Sequence, residues 1–207
     1  MSESVIVAGA RTPIGKFLGA FSSLSAVDLG GAAIAEALRR SALDPASVDY
    51  VIMGHVLQAG QGQITARQAA VKGGLGMDIP AVTVNKVCLS GLNAVALADQ
   101  LIRAGEVETV VAGGMESMTN TPYSMPKGRQ GARMGNTELV DLMIHDGLWC
   151  AFDDCHMGES TDAVNATLGI GRLEQDEWAA RSHERAAEAT KGGRLGAEII
   201  PVDTPGR

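Results

Sequence analysis

The stretch Ala81-Val82-Thr83-Val84-Asn85-Lys86-Val87-Cys88-Leu89-Ser90-Gly91-Leu92-Asn93-Ala94 decides the fold. Its first half is apolar and β-branched and reads as a buried strand over 81–85. Its second half opens a helix over 90–104, with Leu92, Val95, Ala96 and the pair Leu101-Ile102 expected on the apolar side and Gly105 as terminator. A single cysteine, Cys88, stands where strand gives way to helix.

The same alternation extends outward from this junction. A strand is expected over 50–54, a loop over 55–63, a helix over 64–72, and a further strand over 109–112 ended by Gly113-Gly114. Upstream, Ser25 followed by Asp28 forms a variant of the capping box. Val27, Gly30, Gly31, Ile34 and Leu38 then share one helical face, and Arg39 and Arg40 suit the last turn. Residues 4–8 read as a short buried strand, and Arg11-Thr12-Pro13-Ile14-Gly15 as the loop that leaves it. Strands alternating with helices predict an α/β layered domain with a largely parallel sheet.

The pattern stops near Met118. Residues 120–136 contain two prolines, three glycines and the basic side chains Lys127, Arg129 and Arg133, which reads as a long surface excursion. Composition leaves open whether it meets a partner or is only solvated. Two helices follow, over 159–168 and 173–190, with Trp178 and Ala179 expected on the buried side of the second. Residues 198–202 are expected to form a last strand.

Aromatics are only 3% of the chain, so the core must come from Val, Ile, Leu, Ala and Met. The net charge of −7 supplies no electrostatic reason to expect nucleic acid or an anionic membrane surface. Three cysteines do not make a disulfide framework and suit a reducing compartment. Met1-Ser2-Glu3-Ser4 lacks the basic and apolar regions of a signal peptide, and no apolar stretch is expected to span a bilayer. The expected location is the cytoplasm.

Cys88 is the most informative position for chemistry. A thiol at a helix N-terminus feels the positive end of the dipole and unpaired N–H groups, both of which favour the reactive thiolate. On residue type and placement alone, an inert, buried cysteine is the favoured reading. Cys150, Cys155 and His156 lack a fourth ligand at suitable spacing, so no metal is expected. His55, His145 and His183 have no motif around them and read as surface or supporting residues.

Four segments, in order, resemble the thiolase family. Asn85 to Ala94 is similar to the family's nucleophile segment. Gly9-Ala10-Arg11-Thr12-Pro13-Ile14-Gly15 resembles its opening strand and loop, Gly113-Gly114-Met115-Glu116-Ser117-Met118 the end of its fourth strand, and His156-Met157-Gly158 its substrate-loop motif. Leu89 departs from the pattern, because the family often has a small residue beside the nucleophile; a bulky side chain there would reshape the pocket.

The resemblance implies a fold and an activity. The fold is the thiolase-like layered α/β unit, with a βαβαβ-type N-terminal core domain over 1–118 and the start of an inserted loop domain over 119–207. The activity is acyl transfer between coenzyme A thioesters: Cys88 becomes an acyl-cysteine and a second acetyl-CoA attacks it, giving acetoacetyl-CoA, with thiolysis as the reverse. His156, Met157 and Leu148 are implied to line the CoA pocket. Coenzyme A thioesters are substrates, and no permanently bound cofactor is implied. The segment around Lys127, Arg129 and Arg133 is implied to contact neighbouring subunits, in a homo-oligomer that biosynthetic members commonly build as a tetramer.

The family also needs a Gly-His-Pro histidine, a Cys-x-Gly cysteine and an Asn-Glu-Ala-Phe asparagine, none of which occurs in this sequence. All belong to the family's C-terminal half. The expectation is therefore a half of a longer enzyme, inactive alone, ending at the exposed-looking turn Pro205-Gly206-Arg207 as a trypsin-like cut would leave it. The face of the central helix that would pack on the other half is expected to drive association. A 3-ketoacyl-CoA thiolase of fatty-acid β-oxidation and a non-catalytic CoA-binding or assembly fragment are the alternative readings.

Overall fold

The computed structural model describes residues 3–204; the turn expected at Pro205-Gly206-Arg207 lies outside them. Ser25 caps the first helix, α1 (Ala26–Ser41), and the capping box is complete. The Ser25 hydroxyl accepts from the Asp28 N–H, and the Asp28 carboxylate accepts from the Ser25 N–H at 2.9 Å. The buried face is the expected one, Val27, Gly30, Gly31, Ile34 and Leu38 together with Ala26. Its glycines permit close approach: a β-carbon on Gly31 would lie 2.7 Å from the Lys72 β-carbon of the neighbouring helix.

The layered unit then follows as β1 (Tyr50–Gly54), α2 (Thr65–Lys72), β2 (Ala81–Val84), α3 (Ser90–Ala104) and β3 (Val110–Gly114). The three strands are parallel in the order β2-β1-β3. Gly113 and Gly114, read from the sequence as the exit from the strand, still belong to it and pair with Met53 and Gly54. Alternation along β1 builds two cores. Val51 and Met53 join Val27, Ile34 and Ala69 on the side of α1 and α2, while Ile52 meets Ala94 and Ala98 of α3 on the other. The result is an α/β domain with helices on both faces of a parallel sheet.

Several expectations are corrected. On α3 the packed stripe is Ala94 and Ala98, with Leu97 and Leu101 beside it, whereas Leu92 is 67% exposed and Val95 and Ala96 also face outward. The helix is apolar around much of its circumference, and small alanines let it sit close to the sheet while larger side chains turn away. The window Val87–Ala104 is long and apolar enough to cross a membrane, contrary to the sequence expectation. Packing of its alanine stripe on the sheet is how a core helix uses such a composition.

Residues 4–8 are not a buried strand: Val5 is 78% and Ile6 84% exposed, and no ladder includes them. An apolar run specifies burial only if a partner surface is present. The strand expected over 198–202 reduces to one parallel bridge, Arg11 with Ile199. Arg40 ties this junction together by donating to the carbonyls of Gly9 and Ala197.

Beyond Met118 the elements are short: β4 (Tyr123–Ser124) pairs antiparallel with β5 (Val140–Asp141), and α4 (Leu142–Gly147) leads into the hairpin β6 (Trp149–Cys150) and β7 (Cys155–His156). Two helices close the described chain, α5 (Met157–Leu168) and α6 (Arg172–Lys191). Trp178 and Ala179 of α6 are exposed rather than buried, because α6 packs mainly on the short turn Arg194–Ala197. The Trp178 ring instead carries the Arg181 guanidinium 4.5 Å from its centroid.

Candidate active site

The carboxyl ends of all three parallel strands lie at one edge, where open α/β sheets present their ligands. Three segments leave that edge: residues 55–58 after β1, 85–89 after β2 and 115–117 after β3. Cys88 lies in the second of these, one residue before the N-cap Leu89 of α3.

The turn carrying Cys88 is held from several directions. The Ser90 hydroxyl, on a residue only 4% exposed, donates to the Val87 carbonyl at 2.5 Å and accepts the Lys86 N–H at 2.8 Å. The Asn85 side-chain oxygen accepts the Val87 N–H at 2.9 Å. These bonds force Val87 to φ 49°, a left-handed conformation that costs a β-branched residue about 1–3 kcal/mol. The N-terminus of α3 also presses onto the sheet: a β-carbon on Gly54 would lie 2.5 Å from the Ser90 carbonyl carbon and 2.6 Å from the Gly91 nitrogen.

Cys88 is a free, exposed thiol, not the buried cysteine that residue type alone favours. No side chain caps α3; the N–H of its first residue, Ser90, donates to the Val87 carbonyl at 3.0 Å, and the positive end of its dipole lies at the Cys88 turn. The described chain has a groove between Pro13, Lys16 and Phe21 on one side and Glu116 and Met118 on the other, but Cys88 does not line it. The thiol stands on open surface instead.

Leu148, His156 and Met157 are brought together elsewhere, on the hairpin β6–β7. Trp149 pairs with His156, and the Met157 N–H donates to the Leu148 carbonyl at 3.0 Å. The His156 ring meets the edge of Trp149 with centroids 5.1 Å apart, and His156 is exposed at the N-cap of α5. The bonds that assemble this hairpin do not include Cys88. Cys155, facing Cys150 in the same hairpin, has its thiol pKa pushed up by burial first, and then by Glu159, Asp153 and Cys150.

The sequence reading missed a buried polar network beneath the Cys88 turn. His55, expected at the surface or in a supporting role, is 1% exposed. Its Nδ1 lies 2.9 Å from the Thr65 hydroxyl, which reaches Thr83 on β2 at 3.2 Å. Its Nε2 comes within 3.2 Å of a Glu116 oxygen, yet the alignment falls short of a hydrogen bond. The distance makes this an electrostatic approach, with the ring's second nitrogen otherwise unspent. Glu116 itself accepts the N–H groups of Val56 and Leu57 at 2.9 and 3.1 Å. The only sequence signal was Glu116 inside the Gly113 to Met118 segment.

The family model described as "Thiolase, N-terminal domain" matches residues 4–207. A Mycobacterium leprae protein named "Probable acetyl-CoA acetyltransferase" is 53% identical over 205 residues, covering 99% of this chain and 52% of that protein. The "Acetyl-CoA acetyltransferase" proteins of Pseudomonas aeruginosa and Cupriavidus necator are each 49% identical over 207 residues, covering all of this chain and 53% of theirs. The chain thus spans about half the length of the curated relatives it matches. With its strand–cysteine–helix junction and a family match over nearly its whole length, this chain belongs to the thiolase family.

Proposed function

We propose that the protein carrying this chain transfers acyl groups between coenzyme A thioesters, with Cys88 as the acyl acceptor. The observation that carries this reading is the exposed thiol at the uncapped N-terminus of α3, on a turn fixed by Ser90 and Asn85. The relatives named acetyl-CoA acetyltransferase support acetyl-CoA as the substrate.

In the first half-reaction the Cys88 thiolate attacks the thioester carbonyl carbon. A carbon–sulfur bond forms to Cys88 and the coenzyme A thiolate leaves. In the second, another acetyl-CoA loses a methyl proton, which ends on the departed coenzyme A as its thiol; the resulting carbanion attacks the acyl-cysteine, the new carbon–carbon bond forms, and the Cys88 thiolate is released with acetoacetyl-CoA. A thiol serves both halves because it is a good nucleophile and a good leaving group. His156, Met157 and Leu148, gathered on one hairpin, hold the pantetheine arm in this reading.

The chain spans about half the length of the relatives it matches, which favours a requirement for further catalytic groups and the reading of this chain alone as a non-catalytic CoA-binding half. Residues 1–118 form the core domain and 119–207 the first part of a loop domain. The concentration of buried hydrophobic residues between Ala26 and Met115 supports that division. Three free thiols are in keeping with a cytoplasmic enzyme, and a homotetramer in fatty-acid metabolism is the assembly and setting we favour.

Incubation with acetyl-CoA followed by peptide mass analysis tests the reading. Acetyl on Cys88, lost in Cys88→Ser, is the expected result; acetyl on no cysteine of an enzyme active in acetoacetyl-CoA thiolysis would overturn it. Thiolysis of a chain-length series separates the short-chain enzyme from a β-oxidation 3-ketoacyl-CoA thiolase.

A further inference from the structure

We propose that Glu116 is a positioning residue for Cys88, acting through the backbone of residues 56–57 and the side chain of Asn85. The inference deepens the reading of Cys88 as acyl acceptor and rests on it.

The connection is continuous. Both carboxylate oxygens of Glu116 are used: one accepts the Val56 N–H at 2.9 Å, the other the Leu57 N–H at 3.1 Å. The turn after β1 is thereby fixed in place. That turn grips the segment leading to Cys88 twice. The His55 N–H donates to the Val84 carbonyl at 3.0 Å, and the Val56 carbonyl accepts from the Asn85 side-chain nitrogen at 3.4 Å. Asn85 is thus oriented with its oxygen toward the Val87 N–H, which it accepts at 2.9 Å. Val87 is the residue held at φ 49°, and the next residue is Cys88.

The strained backbone at Val87 is what these bonds have to maintain. A β-branched residue leaves the left-handed region unless its surroundings over-determine it. Asn85 supplies one of those restraints, and Asn85 has its own direction set by a carbonyl that Glu116 anchors. Glu116 can do this because its two N–H partners fix both of its oxygens, beside a His55 ring whose Nδ1 lies 2.9 Å from the Thr65 hydroxyl. Neither Glu116 nor Asn85 needs to touch substrate. Their work is to present the thiol beside the uncapped end of α3, where small misplacements cost large factors in rate.

The test reads the Cys88 thiol directly, without turnover, so a wrong assignment of acyl transfer and a wrong assignment of positioning give different results. The rate of iodoacetamide modification of Cys88 is measured by peptide mass on the full chain, with Cys150 and Cys155 as internal references. Glu116→Gln and Asn85→Ala are each expected to slow Cys88 by roughly three- to tenfold while leaving the other two thiols unchanged. The double variant is expected to be no slower than Asn85→Ala alone, because both act along one line. Amide exchange should quicken at Val56, Leu57 and Val87 in Glu116→Gln, but only at Val87 in Asn85→Ala. If Glu116→Gln loosens the whole fold, shown by equal acceleration of all three thiols, Glu116→Asp, which keeps the charge but shortens the reach to Val56 and Leu57, replaces it with the same expected slowing of Cys88 alone. Cys88 rates within about twofold of the parent, or single-variant effects that multiply in the double variant, would overturn the proposal.

Discussion

Gly54 and Ser90 approach so closely that a β-carbon on Gly54 would lie 2.5 Å from the Ser90 carbonyl carbon. The end of the central strand and the first turn of α3 are in backbone contact, and this contact sets the height of the Cys88 turn above the sheet. Gly54→Ala should therefore destabilise the fold by about 1–3 kcal/mol, since neither backbone can yield cheaply. Denaturant unfolding followed by circular dichroism measures it. A midpoint equal to the parent's would show that the helix can lift off without loss.

Asp28 predicts an acid transition. Its carboxyl pKa is held at about 2, below its ordinary 3.8, chiefly by the Lys72 ammonium and then by the Ser25 hydroxyl. A carboxyl with a lower pKa in the folded state stabilises the fold above its unfolded pKa, and that contribution fades as pH falls through the folded value. The stability difference between parent and Asp28→Asn should be full near about pH 5, shrink as pH falls through about 2, and vanish only below that. Equilibrium unfolding across that range tests it, and a difference independent of pH would refute the role given to the Asp28–Lys72 link between α1 and α2.

The three thiols should react at different rates. Cys88 is exposed, whereas the Cys155 thiol pKa is raised first by burial and next by Glu159. A raised thiol pKa lowers the thiolate fraction at any given pH below it. Iodoacetamide should modify Cys88 before Cys155, and Glu159→Gln should quicken Cys155 while leaving Cys88 alone. Equal rates at both positions would contradict this ordering.

The outward face of α3 predicts association. Leu92 is 67% exposed and Val95 38%, on a helix whose opposite side is packed on the sheet. Such a surface tends to find a partner in water. The 207-residue chain should sediment above its monomer mass, and Leu92→Lys with Val95→Glu should return it toward monomer. A monomeric parent chain would sink the prediction.

Much of the layered unit was legible because its signals are local. Ser25 with Asp28 announces a helix start through bonds between residues three apart. The alternation of strand and helix periods around Cys88 predicts the βαβαβ order, and the cysteine stands at the expected junction. The hairpin that joins Leu148 to His156 and Met157 was legible only as a motif resemblance, because two-residue strands carry too little periodicity to be read.

By itself, then, the sequence determined the element order from α1 to β3, the start of α1, the position of Cys88 between β2 and α3, and family membership, all of which depend on residues near one another in the chain. Only the tertiary structure decided which side of α3 is packed, because a helix apolar around most of its surface has no preferred face until a sheet is placed beside it. The tertiary structure alone also decided that residues 4–8 stand exposed, that His55 is buried, and that Val87 is held left-handed. The burial of His55 depends on partners far apart in sequence, as does the meeting of Glu116 with the Val56 N–H, 60 positions apart. No local pattern encodes such a meeting; it exists only once three parallel strands have brought their ends to one edge.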